Sequence, residues 1–240
     1  MMLRGRNVVI YGAGNEMGSA VARAFAREGA SVFLAGRSRD RLEPVAEQIR
    51  AAGGCAEVSV VDPLDEASVE DHVSYIVNEH GSLDASVNLA FRGAETDPRL
   101  TGLSESEFAA AAFTRVRSNF ITSTAAARKM AYQGRGLILT LAGAPERSRR
   151  FTTTVSDAAI EALSEHLAVE VGGRGVRVAC LTSNLSAPHL GAAGEAVRML
   201  ADPARSAGPG DDPAPPEVMR ESRLSNRTYS VGSSIARASV

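Results

Sequence analysis

Gly12, Gly14 and Gly18 stand between a short apolar run, Asn7 to Ile10, and a segment at helical spacing, Ser19 to Ala26. A second apolar run, Ser31 to Ala35, follows and leads into Gly36-Arg37-Ser38. Strand, glycine turn, helix and strand in that order make a βαβ unit. Where a buried strand turns into a helix, backbone N–H groups and the positive end of the helix dipole meet at one point, which suits a pyrophosphate. The spacing G-x-G-x-x-x-G is one residue longer than the common dinucleotide fingerprint, so the flanking strand and helix carry as much of the reading as the glycines. Gly12, Gly14, Asn15, Met17 and Gly18 are the candidate phosphate contacts. The other reading is a turn whose glycines serve only positive φ or close packing.

Arg37 ends the second strand, where many dinucleotide folds carry an acid for the ribose 2′-hydroxyl. An arginine there favours a 2′-phosphate, hence NADP(H) over NAD(H). Because Arg39, Asp40 and Arg41 follow at once, a solvated arginine in a charged segment is the alternative.

These residues need a scaffold, and the rest of the chain supplies its pattern. Leu42, Val45, Ala46 and Ile49 predict an amphipathic helix over Leu42 to Ala52, ended by Gly53-Gly54. A third strand is expected at Ala56 to Val61, running into Asp62-Pro63, and a helix at Asp65 to His80 with Asp65 as its cap. A fourth strand is expected at Leu83 to Leu89, then a polar loop, then a long helix from Ser104 to Tyr132 capped by Ser104. Leu137 to Ala142 reads as a fifth strand, and a loop with Arg147, Arg149 and Arg150 leads to a helix over Ser156 to Val171. Val176 to Leu181 is the sixth strand. Strands alternating with crossover helices imply a Rossmann-like, doubly wound parallel α/β sheet with helices on both faces. Ligands of such sheets lie outside the carboxyl ends of the strands. That directs attention to Gly12 to Gly18, Arg37, Asp62, Asn88 to Phe91 and Gly143 onward.

Composition narrows the partners. The 240 residues are expected to form a single domain. A net charge of −2 gives no electrostatic case for nucleic acid or an anionic membrane. No apolar run has the length of a membrane span, and Met1 to Arg6 lacks the apolar core of a signal peptide, so the cytoplasm is the expected compartment. Cys55 and Cys180 have no metal spacing and are expected to be buried thiols. The four histidines are scattered, and no metal site is expected. Lys129 is the only lysine.

With its strand ends lined up, the chain resembles the short-chain dehydrogenase/reductase family over essentially its full length. The family's first turn, T-G-x-x-x-G-x-G, is met by Tyr11 to Gly18: Gly12 and Gly18 match, while Tyr11 and Glu16 depart. Asp62 falls where the family has an aspartate beside the adenine, though Pro63 after it has no N–H to donate. Asn88-Leu89-Ala90-Phe91 keeps half of the family's N-N-A-G. Asn119 falls on the catalytic asparagine, and a polar residue bridging helix and sheet is its other reading. Leu224 to Arg227 and Gly232 to Val240 look like the closing turn and last strand, which brings the expected strand count to about seven.

The acid–base positions differ. Gly143 falls where the family has its serine, Thr153 replaces the tyrosine and Asp157 the lysine of Y-x-x-x-K. Proton delivery to a developing alkoxide by a tyrosine beside a lysine cation is therefore missing. Lys129, in another helix, cannot stand in, and Tyr132 sits with it at that helix's far end. Glu16 would cost about a kcal/mol beside a pyrophosphate if it faced the site; pointing to solvent, it leaves the backbone donors usable. The Arg147, Arg149, Arg150 loop would either hold an anionic ligand or be solvated. The resemblance thus implies a divergent oxidoreductase that binds a nicotinamide dinucleotide, NADP(H) favoured, and a carbonyl or alcohol small molecule. Activity would need a donor such as Thr140, Thr153, Ser156 or a water. The rival is a non-catalytic nucleotide sensor or partner subunit. Relatives of this kind are often dimers or tetramers built on the long helices, so a homo-oligomer is also implied.

Overall fold

The computed structural model describes residues 1–90, 100–142, 151–182 and 188–202. Six parallel strands are found among them: β1 (Asn7–Tyr11), β2 (Ser31–Gly36), β3 (Cys55–Val60), β4 (Ala85–Asn88), β5 (Gly136–Ala142) and β6 (Val176–Thr182), in the order β3-β2-β1-β4-β5-β6. The helices are α1 (Glu16–Arg27), α2 (Arg39–Ala51), α3 (Glu66–His80), α4 (Glu105–Gln133), α5 (Phe151–Gly172) and α6 (Pro188–Ala201), and a 3₁₀ turn spans Leu100–Gly102. The order reverses between β1 and β4, which pair in parallel from Val8 beside Ala85 to Tyr11 beside Asn88. Their carboxyl ends open the crevice in which such sheets hold ligands.

Strand side chains alternate between two cores. Val8, Ile10, Val32, Leu34, Leu137 and Leu139 face one layer with α1, α2 and α6 residues, among them Phe25, Ile49 and Leu200. Val9, Tyr11, Phe33, Ile138 and Val178 face the other, with Val73 and Ile76 of α3, Ala125 and Met130 of α4, and Leu167 of α5. Both faces are covered, which is why the strands read as apolar runs.

Helix starts follow local chemistry. Asp65 accepts a hydrogen bond from the Ser68 N–H at 3.3 Å and caps α3 as expected. Ser104 caps α4 in a reciprocal box: its hydroxyl accepts from the Glu107 N–H at 3.3 Å, while the Glu107 carboxylate accepts from the Ser104 N–H at 2.9 Å. The Ser104 N–H and hydroxyl, both donating to the Glu107 carboxylate, hold it below its usual range.

Several expectations change. Helix α2 begins at Arg39 rather than Leu42 and carries Pro44 in its second turn. Strand β4 is shorter than expected. Helix α5 begins at Phe151, not Ser156, so Thr153 lies within the helix. Cys55 is exposed at the start of the edge strand β3, whereas Cys180 is buried and its thiol is pushed up, mainly by desolvation. Helix α6 was not anticipated; its Ala196, Val197, Met199 and Leu200 complete the first core. The expected seventh strand, Gly232 to Val240, and its turn at Leu224 to Arg227 lie outside the described residues, as do Phe91, Gly143 and the Arg147, Arg149, Arg150 loop. No helix among the described residues is long and apolar enough to cross a membrane.

Candidate nucleotide site

The glycine turn is built by contact. Gly12 has φ of 83°, and a Cβ there would lie 2.6 Å from the backbone of Leu89. A Cβ on Gly18 would lie 2.2 Å from the Gly12 carbonyl oxygen. The turn and the first turn of α1 therefore pack backbone to backbone, at the junction of β1 and β4. Asn15 locks that junction: its Oδ1 accepts from the Gly18 N–H at 2.7 Å, and its Nδ2 donates to the Leu89 carbonyl at 2.8 Å. Glu16 is exposed and Met17 packs against the core, so neither is among the residues that line the cleft.

A cleft of about 460 Å³ runs along the strand ends. Gly12, Gly14, Asn15 and Ala90 line it at the turn, Arg37, Ser38 and Arg41 at the end of β2, and Asp62, Pro63 and Leu64 after β3. Thr114, Arg115 and Ser118 of α4 complete the lining. One Asp62 oxygen accepts from the Leu64 N–H at 3.0 Å, which shapes the turn around Pro63. The donor set suits a phosphorylated dinucleotide: small residues where backbone must approach a pyrophosphate, with Arg37, Ser38 and Arg41 in the same lining and Arg41 packed against Gly14.

Asn88 is elsewhere. Its Nδ2 donates to the Ser118 carbonyl at 3.1 Å and to the Thr122 hydroxyl at 2.7 Å, and its Oδ1 accepts from the Ala90 N–H at 3.0 Å. It ties β4 to α4 and sets the direction of the chain at Ala90. Asn119 is buried in α4 and donates from Nδ2 to the Arg115 carbonyl at 3.0 Å, while its Oδ1 has no protein partner.

Asp157 is paired with Arg115, whose other terminal nitrogen donates to the Leu141 carbonyl. The Asp157 carboxylate is thus offset by an arginine on the facing helix. Thr153 is buried. The Thr140 hydroxyl shares a 2.8 Å hydrogen bond with Ser164, and the Ser156 hydroxyl donates to the Ala112 carbonyl at 2.7 Å, so both are engaged within the packing. Tyr132 is almost fully exposed in the last turn of α4, together with Lys129 at the far end of that helix. No group of three potential metal ligands occurs among the described residues.

Ser38, Arg41, Thr114, Arg115 and Ser118 were missed as site residues. Two signals were available: Arg41 follows Arg37 across the start of a helix, and Arg115 precedes Asn119 by four residues, one turn along the same face.

The parallel sheet, its switch point and the glycine turn define a doubly wound protein of the dinucleotide-binding class. The sequence profile of the family described as enoyl-(acyl carrier protein) reductase matches residues 12–209. The chain belongs to the short-chain dehydrogenase/reductase family. It is 33% identical over 181 residues to an uncharacterized oxidoreductase of Thermotoga maritima, covering 74% of this chain and 70% of that one. It is 28% identical over 182 residues to 3-oxoacyl-acyl-carrier-protein reductase of Chlamydia pneumoniae, covering 75% and 73%. Among solved structures, a metagenomic short-chain oxidoreductase in complex with NADP superimposes with a TM-score of 0.76 at 24% identity, over 84% of this chain and 93% of that one, a likeness of fold.

Proposed function

We propose that this protein binds NADP(H) and does not carry out carbonyl reduction by the tyrosine–lysine route of its family. The observation that carries the reading is the placing of Arg37, Ser38 and Arg41 in one cleft with Gly12, Gly14 and Asn15. Two guanidiniums fit the charge of a 2′-phosphate and would face only a neutral hydroxyl in NAD(H). Small residues at the turn let the backbone reach the pyrophosphate, and Asp62 lines the adenosine end. Glu16, being exposed and outside the lining, leaves that approach clear.

A bound nicotinamide supplies hydride chemistry, and completing a reduction also needs a proton. A threonine hydroxyl at Thr153 is far too weak an acid, Asp157 is an ion-pair partner, and the Thr140 and Ser156 hydroxyls are engaged with Ser164 and Ala112. These features favour a nucleotide-responsive or subunit role over turnover. Phe113 and Phe120 are half-exposed one heptad apart on α4, and Val169 is exposed on α5, which supports self-association through these helices.

The reading is tested by titrating the protein with NADPH, following nicotinamide fluorescence, and then adding a panel of aldehydes and ketones. Saturable binding with no oxidation of NADPH is expected. Absence of binding at millimolar NADPH would overturn the nucleotide reading, and steady oxidation would overturn the non-catalytic one.

A further inference from the structure

Strand β3 closes one side of the sheet and pairs with β2 alone among the described residues. Where it runs beside α3, a surface hollow of about 590 Å³ is lined by residues of both elements. None of them lines the nucleotide cleft. Three carboxylates, Glu57, Asp65 and Asp71, belong to the lining, and no lysine or arginine does. Glu57 is engaged by the Tyr75 hydroxyl and by His80 at 3.6 Å. Asp65 caps α3 through the Ser68 N–H, and neither it nor Asp71 has a cationic partner among the described residues.

Surface acids are ordinarily satisfied by water, so these three alone mark nothing. His72 adds what they lack. It lines the same hollow at 7% exposure, and neither of its ring nitrogens has a hydrogen-bond partner. Its ring meets Tyr11 edge-on, and the Tyr11 hydroxyl is unpartnered too, so no bond joins the two. Burial lowers the His72 pKa to about 4, which leaves a neutral imidazole with one nitrogen free to accept. A buried acceptor without a donor is costly, and a ligand that donates to it recovers that cost.

The lining also selects the kind of cation. Among the described residues no three acids, histidines or cysteines converge as a metal ion requires. The carboxylates share the hollow with apolar surface instead: Val60 is 54% exposed and Tyr75 42%. Acid and apolar surface together fit charges spaced along an aliphatic chain. Ammonium groups only donate, the methylenes between them cover Val60, and one ammonium can lie against the Tyr75 ring.

We infer that the hollow between β3 and α3 binds a linear aliphatic polyamine, with Asp65 and Asp71 taking its ammonium groups and His72 accepting a hydrogen bond from it. The inference does not rest on the NADP(H) reading. The two sites adjoin, however: Val61 and Asp65 line the hollow, and Asp62, Pro63 and Leu64 between them line the cleft.

The test is calorimetric titration of the full chain with spermidine at low ionic strength, alone and against magnesium chloride. The variants are Asp65→Asn/Asp71→Asn, His72→Leu and, as a control, Glu47→Gln/Glu105→Gln, which removes two exposed carboxylates outside the hollow. Asparagine also caps a helix, so Asp65→Asn removes charge and keeps the start of α3. Wild type is expected to bind one spermidine saturably. Asp65→Asn/Asp71→Asn is expected to bind it about fivefold or more weakly, and His72→Leu about threefold more weakly. The control is expected to stay within about twofold of wild type. No saturable binding by wild type would overturn the inference, and so would unchanged affinity in folded Asp65→Asn/Asp71→Asn or folded His72→Leu. An equal loss in both double variants would overturn it as general charge attraction. Magnesium that displaces spermidine at equal concentration would overturn it as a metal site. If His72→Leu does not fold, the two double variants still decide the question.

Discussion

The Asn15 side-chain amide donates to the Leu89 carbonyl oxygen over 2.8 Å, joining the start of α1 to the end of β4. The same side chain caps α1 through the Gly18 N–H. One residue therefore holds together the two strand ends between which the cleft opens. Asn15→Ala removes a cap worth about 0.5–2 kcal/mol and leaves the Leu89 carbonyl without that donor. The expected result is a lower urea midpoint with unchanged slope and weaker NADPH binding; an unchanged midpoint would show that the bridge contributes nothing.

Gly18→Ala tests the close approach directly. With only 2.2 Å between a Cβ and the Gly12 carbonyl oxygen, the first turn of α1 must move away from the glycine turn. Overpacking of this kind costs about 1–3 kcal/mol. Chemical denaturation should show that loss, and under the proposed function NADPH affinity should fall with it, because the displaced backbone adjoins Gly12, which lines the cleft.

His72 gives a stability change with a defined sign. Burial lowers its pKa from 6.5 to about 4, and neither ring nitrogen has a hydrogen-bond partner. Its ring meets Tyr11 edge-on at 6.2 Å, and burial likewise raises the Tyr11 hydroxyl above its usual value. Between about pH 4 and 6.5 the unfolded chain binds the proton and the folded chain does not, so stability rises with pH through that window and is lost as pH falls. From pH 7 to pH 5 this one group should remove about 2 kcal/mol. Urea titrations of wild type and His72→Leu at the two pH values should show the smaller acid loss in the variant; equal losses would remove His72 as the cause.

The exposed aromatics of α4 yield a test of assembly. If Phe113 and Phe120 lie in a self-association face, Phe113→Glu/Phe120→Glu should sediment as a monomer under conditions where wild type does not. Monomeric wild type would contradict that face.

The sheet was legible because both of its faces are covered: β1, β2 and β5 are apolar runs, whereas the edge strand β3, Cys-Ala-Glu-Val-Ser-Val, alternates polar and apolar residues. Capping chemistry placed α3 and α4 to within a residue, through Asp65 and Ser104. The start of α5 was not legible, because Phe151 to Val155 is threonine-rich and carries no cap signal. Helix α6 had a visible signal in Pro188 at its first position and in the spacing of Ala196, Val197 and Leu200, in a stretch between the sixth strand and the expected closing turn to which no element was assigned. Of the expected cofactor contacts, Gly12, Gly14, Asn15, Arg37, Asp62 and Ala90 line the cleft, and Met17, Gly18 and Asn88 are not among its lining residues. Asn88, expected as a cofactor contact, bonds to Ser118 and Thr122 of α4, 30 and 34 residues away, a link that no local pattern announces. The Arg115–Asp157 pair joins two helices 42 residues apart, and such a pairing leaves no local periodicity to read.

The central claim is that Arg37 and Arg41 read a 2′-phosphate in the cleft. The most direct measurement is calorimetric titration of wild type and Arg37→Ala with NADPH and with NADH in the same buffer. The account expects NADPH to bind wild type about tenfold or more tighter than NADH, and Arg37→Ala to lose most of that difference while NADH binding holds. NADH binding as tightly as NADPH, or a preference that survives Arg37→Ala undiminished, would contradict it.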